Sequence, residues 1–365
     1  MVFEGSTTGW GENYSGENYW QWRNRGDCRI AKPLFNMRDF VFYGLDTGYG
    51  NYSRFTVLNG SMVDVQDLYT ELSGRSTGFR VVAGGLLKFT DTLATSKKGA
   101  RFYQWTSQPA KHVVDGTMDI QIPFKGGASQ AYGGTGMLKL ANTIPALAAS
   151  RVWLQDTLTT ELAADWETVT AAADTPLALG ALAGNPVIKV ADGWRYGTGA
   201  GAETATTADA RAIEICEGAT LTIDAAGGMA IVEEAVSGVG MLAASNGTLR
   251  LAAAMVSEAT LAAKDDAAIE IAADMTVAAL DLESGSTLAV RKGHPLTVSA
   301  PVSVAGVRIA FDSLELADKW QDVVSAPEIT GTPVLPEGVR FRIVEGESGM
   351  TLQCGVTPGC ILLLR

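Results

Sequence analysis

One segment of this chain occurs twice, and the duplication strongly limits the folds the chain can adopt. Residues 55–67 and 79–91 superpose with a constant offset of 24 residues, which places Phe55 on Phe79 and keeps a central glycine. Each copy alternates apolar and polar residues on both sides of that glycine, which predicts two short strands joined by a tight bend. Such a unit cannot bury its apolar face alone, so it must stack on a copy of itself in a solenoid.

The strand pattern continues along the rest of the chain. A weaker third copy lies at residues 113–122, where Asp115-Gly-Thr-Met is similar to Asn59-Gly-Ser-Met. After Ala212 alanine dominates, but the apolar residues follow period two and glycine or Asp-Asp interrupts them, which favours strands over helix. A small-Thr-Leu-x-apolar theme recurs there with variations, at residues 219–223, 247–251, 268–271 and 286–290. We therefore predict an all-β parallel solenoid whose inward apolar residues stack in ladders.

The charge of the chain argues against two classes of partner. The net charge is −12, and an acidic surface repels phosphate backbones and anionic lipid headgroups. No apolar run approaches the roughly 20 residues that a membrane helix needs. We therefore expect no nucleic-acid partner and no membrane insertion.

The repeat rhythm and the closing segments resemble a known family. The Gly247-Thr-Leu-Arg-Leu pattern and the segments that begin at Lys319, Ile329, Val339 and Met350 are similar to autotransporter-type passenger proteins with autotransporter-associated β-strand repeats. The resemblance implies a single right-handed parallel β-helix with an extracellular or cell-surface location. Because the start of the chain lacks signal-peptide features, either the protein is cytosolic or its export signal is absent from this sequence, and we expect the second.

The predicted organisation has four parts. They are an N-terminal aromatic cap at 1–30, a first β-helix section at 31–155 with a loop insertion near 94–112, an irregular section at 156–212, and an alanine-rich second section with a C-terminal hairpin cap at 213–365. Residues 160–167 in the irregular section could form one short helix.

Aromatic residues cluster near the N-terminus among Gly, Asn and Glu. The end of a solenoid exposes strand edges, so a cap of large rings is the structural interpretation. The alternative is a glycan platform, in which rings pack on sugar faces and polar neighbours bind hydroxyl groups. The candidate glycan-binding residues are Trp10, Tyr14, Tyr19, Trp20 and Trp22.

Three acidic residues follow the duplicated segment and are candidates for chemistry. Asp67 and Asp91 should stack on adjacent coils, and Asp64 lies close by in the sequence. Stacked carboxylates could bind Ca²⁺ or act as an acid/base pair in a glycosidase, and the alternative is solvated turn residues. A lyase would also need a base, for which Lys97, Lys98 and Arg101 are available.

Other candidate motifs are weaker. Asp265-Asp266 resembles the doubled aspartate of β-helix polygalacturonases, but the other signatures of that family are missing. His112 and His294 are the only histidines and are too far apart in a linear solenoid to act together, which argues against Ser-His-Asp catalysis.

The cysteines allow one cross-link. Cys354 and Cys360 bracket a short Gly-Val-Thr-Pro-Gly turn, which makes a disulfide geometrically plausible. The alternative is a pair of small buried apolar residues.

These observations favour a non-catalytic secreted or cell-surface passenger that presents a long face for adhesion or glycan contact. The expected partner is a polysaccharide or a host or cell-surface glycan. Two alternatives stay open, namely a β-helix polysaccharide lyase or glycoside hydrolase, and a receptor binder similar to phage tailspikes.

Overall fold

The computed structural model of the 365-residue chain describes fifteen segments. They are residues 20–23, 27–30, 35–38, 40–44, 54–66, 69–72, 78–90, 110–121, 130–140, 151–162, 166–167, 178–197, 212–311, 320–347 and 349–356. The chain divides into two compact units, residues 1–188 with 198–211 (unit 1) and residues 189–197 with 212–365 (unit 2). Within the described segments every regular element is a strand, and they contain no helix that is long and apolar enough to span a membrane.

Unit 1 is built from short strands. They are β1 (Trp20–Arg23), β2 (Asp27–Ile30), β3 (Phe35–Arg38), β4 (Phe40–Gly44), β5 (Arg54–Val57), β6 (Met62–Gln66), β7 (Tyr69–Leu72), β8 (Gly78–Val81), β9 (Leu86–Thr90), β10 (Ala110–Val114), β11 (Thr117–Ile120), β12 (Gln130–Gly133), β13 (Met137–Leu140), β14 (Arg151–Asp156), β15 (Thr159–Leu162), β16 (Trp166–Glu167) and β17 (Ala178–Gly184). Strand β18 (Val187–Val190) crosses the boundary between the units.

Unit 2 continues in the same manner. Its strands are β19 (Arg195–Gly197), β20 (Ile213–Ile215), β21 (Thr220–Asp224), β22 (Met229–Val232), β23 (Val236–Gly238), β24 (Met241–Ser245), β25 (Thr248–Leu251), β26 (Met255–Val256), β27 (Thr260–Ala263), β28 (Ala268–Ile271), β29 (Met275–Val277), β30 (Ala279–Leu282), β31 (Thr287–Val290), β32 (Leu296–Val298), β33 (Val302–Ser303), β34 (Arg308–Phe311), β35 (Gln321–Ala326), β36 (Ile329–Thr330), β37 (Val339–Gly346) and β38 (Gly349–Val356).

Stacked strands form two long parallel sheets in unit 1. Sheet I has the order β2-β5-β8-β10-β12-β14-β17, and sheet II has the order β3-β6-β9-β11-β13-β15. Neighbours in each sheet are strands from successive passes of the chain, as a solenoid requires. The duplicated segment confirms the predicted register, because Phe55 pairs with Phe79 and Val63 pairs with Leu87. The result is an all-β, solenoid-like architecture.

Three further parallel arrays account for most of unit 2. Sheet III has the order β19-β22-β25-β28-β31-β34, and sheet IV has the order β21-β24-β27-β30. Sheet V has the order β26-β29-β32-β35-β38-β37, and it ends in an antiparallel hairpin in which β37 pairs with β38. This hairpin closes the described part of the chain.

The core consists of in-register rows of inward side chains. In sheet III the row Leu249, Ile269, Leu288 and Ile309 is almost completely buried. In sheet I the corresponding row is aromatic, and it contains a histidine: Phe55, Phe79, His112 and Tyr132 follow one another on β5, β8, β10 and β12. We call this row the aromatic ladder.

Several sequence predictions are corrected by the strand assignments. The short helix expected at residues 160–167 is wrong, because Thr160 lies in β15 and Trp166 lies in β16. Alternation of buried residues in β15 outweighs the helix propensity of alanine and glutamate there. The section 156–212 as a whole contains strands β15 to β19. Cap residues 1–19 and most of the expected insertion near 94–112 lie outside the described residues.

The strand pairing also gives two registers that the repeat pattern did not specify. In the third copy, Met118 is level with Leu87 rather than with Met62, because its turn is shorter than the turn of the earlier copies. The Thr-Leu-x-apolar strands do not form one row. Leu221 pairs with Leu242 in sheet IV, whereas Leu249 lies in sheet III.

Candidate functional site

The outer face of sheet V carries a row of hydroxyl-bearing and β-branched side chains. Its strands have two to eight residues, and in β26, β29 and β32 buried residues alternate with residues that point away from the core. The outward residues are in register across all six strands. We call them the hydroxyl row: Val256, Thr276, Thr297, Ser325, Thr351 and Val344.

Parts of this row are open to solvent. Val256 is 87% exposed, and Thr297 is also exposed. The Ser325 and Thr351 hydroxyl oxygens lie 3.0 Å apart and share a hydrogen bond. Because neighbouring strands are about 4.8 Å apart, the row presents a polar or methyl group at that interval over roughly 24 Å.

A β-bulge brings a second group of side chains onto the same face. The register of β35 against β38 shifts between Asp322 and Val324, so that Val323 is an extra residue. Asp322 pairs with Gln353 and Ser325 pairs with Thr351. Asp322 and Ser325 are three residues apart, and without the bulge their side chains would point to opposite faces of the strand. The bulge therefore places Asp322 beside the hydroxyl row.

Two arginines and one tryptophan form the centre of this group, which we call the arginine platform. Arg340 and Arg342 are two residues apart in β37, so they share the outer face. The guanidinium carbon of Arg340 lies 4.8 Å from the centroid of the Trp320 ring, and that of Arg342 lies 4.2 Å from it. Both distances are within the range of a cation–π interaction.

A hydrogen-bond relay holds one of these arginines in position. Arg342 Nε donates to Gln353 Oε1 at 2.7 Å, and Gln353 Nε2 donates to Asp322 Oδ1 at 2.7 Å. Arg340 makes no hydrogen bond or ion pair with a described residue, and its guanidinium group contacts the Trp320 ring. The platform therefore has oriented guanidinium groups with unused N–H donors.

The outer face of sheet II has charged residues of alternating sign. In register across β9, β11, β13 and β15 are Lys88, Asp119, Lys139 and Glu161. Lys139 Nζ lies 2.9 Å from Glu161 Oε2, and this hydrogen bond and the charge of Glu161 raise the pKa of Lys139. Since opposite charges alternate along the row, it offers no surface of a single sign.

The structure gives partial information on the sequence-predicted site residues. Trp20 and Trp22 lie in β1, where they pair with Phe40 and Phe42. Asp64 lies in β6 between Asn36 and Lys88, so its strand neighbours are not carboxylates. The remaining candidates lie outside the described residues, namely Trp10, Tyr14, Tyr19, Asp67, Asp91 and Cys360, together with Lys97, Lys98 and Arg101.

The predicted metal site and disulfide stay predictions. The described residues contain no group of three or more His, Cys, Asp or Glu side chains that could hold a metal ion, but two of the three candidate Ca²⁺ ligands lie outside them. Cys354 is buried in β38, and this burial raises the pKa of its thiol to about 12. It forms no disulfide with a described residue, and its predicted partner Cys360 lies beyond them.

The two histidines and the paired aspartates have structural partners. His112 stacks within the aromatic ladder of unit 1, and His294 Nδ1 lies 2.8 Å from Asp274 Oδ1 in unit 2. Asp265 and Asp266 form the turn between β27 and β28 with φ of 52° and 58°. Asp266 Oδ1 lies 3.5 Å from Arg308 Nη1. These contacts give the two histidines and the two aspartates structural roles in the fold.

Sequence reasoning missed the arginine platform. The pattern Val339-Arg-Phe-Arg-Ile-Val places two arginines on one face of a strand, and this signal was available. Trp320 lies 20 residues before Arg340, and their contact depends on how β35, β38 and β37 pair. No protein family model, curated protein or solved structure matches this chain.

Proposed function

We propose that this protein is a non-catalytic, secreted or cell-surface, passenger-like β-helix of right-handed coil that contacts glycans. The observation that carries the proposal is the outer face of sheet V, where the hydroxyl row and the arginine platform lie side by side. The proposed partner is a polysaccharide or a cell-surface glycan.

The chemistry of this face suits a carbohydrate chain. Sugar hydroxyl groups both donate and accept hydrogen bonds, and so do the hydroxyl groups of Thr276, Thr297 and Thr351. The arginines add donors that are already oriented. Because the row repeats at each strand, it can make many weak contacts along an extended polymer. The combined affinity of these contacts can exceed the affinity of any single contact.

The test is binding to a panel of plant, mucin and bacterial polysaccharides, with and without Ca²⁺. Affinity electrophoresis would measure retention, and mass spectrometry would detect released oligosaccharides. We expect retention by at least one polysaccharide and no cleavage. Released oligosaccharides would overturn the non-catalytic assignment in favour of a lyase or hydrolase, and a panel with no retention would overturn glycan binding.

Two matched variants locate the surface. Thr297→Glu introduces a charge in the middle of the hydroxyl row, and Thr330→Glu makes the same change at an exposed position of β36 in another sheet. We expect T297E to weaken retention about tenfold, which corresponds to about 1.4 kcal/mol, and T330E to leave it unchanged. Equal effects of both variants would place the binding surface elsewhere.

A further inference from the structure

We infer that the arginine platform is an anion site that makes this protein selective for acidic glycans, those with carboxylate or sulfate groups. This inference rests on the proposed function and adds the class of ligand. The platform comprises Arg340, Arg342 and Trp320, with Gln353 and Asp322 as positioning residues.

The two arginines have N–H donors that fit an anionic group. A guanidinium group has five N–H donors in a planar fork that matches the oxygen atoms of a carboxylate or sulfate. Arg342 uses its Nε for Gln353. No described residue forms a hydrogen bond with Arg340, and its Nε is buried. Both terminal Nη groups of each arginine are therefore left for a ligand.

The charge of the two arginines is available to an anionic ligand. The carboxylate of Asp322 lies beside the platform but accepts a hydrogen bond from Gln353, and no ion pair joins it to Arg340 or Arg342. The two guanidinium charges are thus not neutralised by a direct carboxylate contact. On a chain with net charge −12, this is a local reversal of sign that would favour an anion here.

Neighbouring side chains hold the two arginines in place. Both arginines lie against the Trp320 ring, and the Gln353–Asp322 relay fixes the orientation of one of them. Long arginine side chains otherwise lose rotamer freedom when they bind, which weakens affinity. The ring and the relay reduce that cost before a ligand arrives. Since the indole ring is occupied by the guanidinium groups, we assign it to positioning and not to packing on a sugar.

The position of the hydroxyl row favours a glycan over a free anion as the ligand. The hydroxyl row begins next to the platform on the same face, because Gln353 and Thr351 are two residues apart in β38. A free sulfate ion would contact the arginines alone. An acidic polysaccharide would contact the arginines through its charged group and the row through its hydroxyl groups.

The experiment compares polysaccharides that share a backbone and differ in charge. Polygalacturonate is compared with its fully methyl-esterified form, and dextran sulfate with dextran, using the full chain in biolayer interferometry. We expect at least tenfold tighter binding to the charged member of a pair. The carboxylate and sulfate arms show which group is preferred, and sodium sulfate as competitor shows whether a free anion is sufficient.

Variants then connect the selectivity to the platform. Arg342→Lys keeps the charge but removes the planar fork, and Arg340→Gln with Arg342→Gln removes both charges. Lys189→Gln is the control, because Lys189 is an exposed cation on a different strand. We expect about a fivefold loss for R342K, a larger loss and a smaller salt dependence for the double variant, and no change for K189Q.

The outcomes distinguish the two proposals. Equal binding of charged and neutral members, unaffected by the arginine variants, would overturn the anion site and leave glycan binding intact. Selectivity for the charged member that survives in the double variant would also overturn it. Absence of binding to every polysaccharide would overturn the proposed function itself. Circular dichroism of each variant excludes loss of the fold as the cause.

Discussion

His112 is a titratable residue in the core of unit 1. Its ring lies 5.6 Å from that of Phe79 and 4.6 Å from that of Tyr132, nearly parallel to both. His112 Nδ1 accepts a hydrogen bond from the Phe79 backbone N–H at 3.1 Å, which requires the neutral ring with its proton on the other nitrogen. Burial lowers the pKa of His112 to about 3, and the nearby Gln130 side chain opposes this shift to a smaller extent.

This pKa shift predicts a loss of stability in mild acid. Between pH 6.5, the ordinary pKa of histidine, and about pH 3, the unfolded chain takes up a proton at His112 that the folded chain does not. The contribution of His112 to the free energy of unfolding is therefore fully present above pH 6.5. It falls by about 1.4 kcal/mol per pH unit below that value. We expect unit 1 to lose about 2 kcal/mol between pH 6.5 and pH 5, measured by urea unfolding at both values.

Two variants of His112 separate titration from packing. His112→Phe keeps an aromatic ring but cannot titrate, and His112→Asn keeps an acceptor near Nδ1 without the ring. Both should be less stable than the parent at pH 7, and both should lose the part of the pH dependence that His112 supplies. If the parent and H112F have the same pH dependence, the prediction is wrong.

At the scale of the strand and turn, the corner between sheets I and II depends on closely stacked glycines. The Thr117 N–H donates to the Gly85 carbonyl at 2.9 Å, and the Met137 N–H donates to the Gly116 carbonyl at 2.8 Å. A Cβ atom at Gly116 would collide with the Gly85 carbonyl oxygen and lie 2.5 Å from that of Val82. The corner therefore requires glycine because successive backbones approach too closely for a side chain.

Replacing one of these glycines should distort the corner. We expect Gly116→Ala to cost about 1–3 kcal/mol, since backbone atoms cannot move away as a flexible side chain could. Gly346→Ala is the control, because its new Cβ would meet only the Gly349 carbonyl oxygen at 3.7 Å. The measurement is the urea midpoint of each variant. A G116A midpoint equal to that of G346A would contradict the close approach.

The alternating charges on sheet II lead to a second prediction at this scale. Lys139 lies between Asp119 and Glu161, so Lys139→Glu would place three carboxylates in one row. The side chains of Lys139 and Glu161 are 45% and 40% exposed, and solvent screens their interaction. We expect a loss of about 1 kcal/mol at low salt, because like charges on neighbouring strands repel.

Salt and a compensating change test the cause. The loss in K139E should shrink in 1 M NaCl, where the Debye length is about 3 Å. Adding Glu161→Lys should restore part of the stability by forming the reversed pair. Urea unfolding at both salt concentrations measures these effects, and a loss that is independent of salt would indicate a packing defect instead.

At the scale of the whole molecule, each coil is stabilised mainly by the coils next to it. In sheet III the inward row joins β25, β28 and β31 through Leu249, Ile269 and Leu288, all buried. A repeat architecture of this kind loses stability locally when one row position is emptied, because interactions between distant coils are few.

Emptying one position should therefore have a local effect. We expect Ile269→Ala to cost about 2–5 kcal/mol and to raise amide exchange mostly in β25, β28 and β31. Ala289→Ser, which changes an outward position of β31, is the control and should leave exchange unchanged. Hydrogen–deuterium exchange with mass spectrometry resolves the affected strands. Uniform acceleration throughout unit 2 would show a single cooperative unit.

Local alternation was sufficient to predict the parallel strands and the register of the duplicated segment. Side chains point to opposite sides of a strand with period two, and Phe55 and Phe79 occupy equal positions in equal repeats, so their pairing follows from the sequence. The positive φ values of 72° and 78° at Gly60 and Gly84 agree with the predicted bend. The parallel solenoid-like architecture was predictable for the same reason.

Tertiary structure alone decided which strands share a sheet and which side chains meet. The length of each turn sets the stacking level of the following strand, so a shorter turn placed Met118 level with Leu87. The bulge at Val323 and the contact of Trp320 with Arg342 depend on antiparallel pairing at the C-terminal end of sheet V. No local period encodes such contacts, because they join residues whose separation in sequence depends on every intervening turn. The candidate site was therefore visible in the sequence only as two arginines on one strand face.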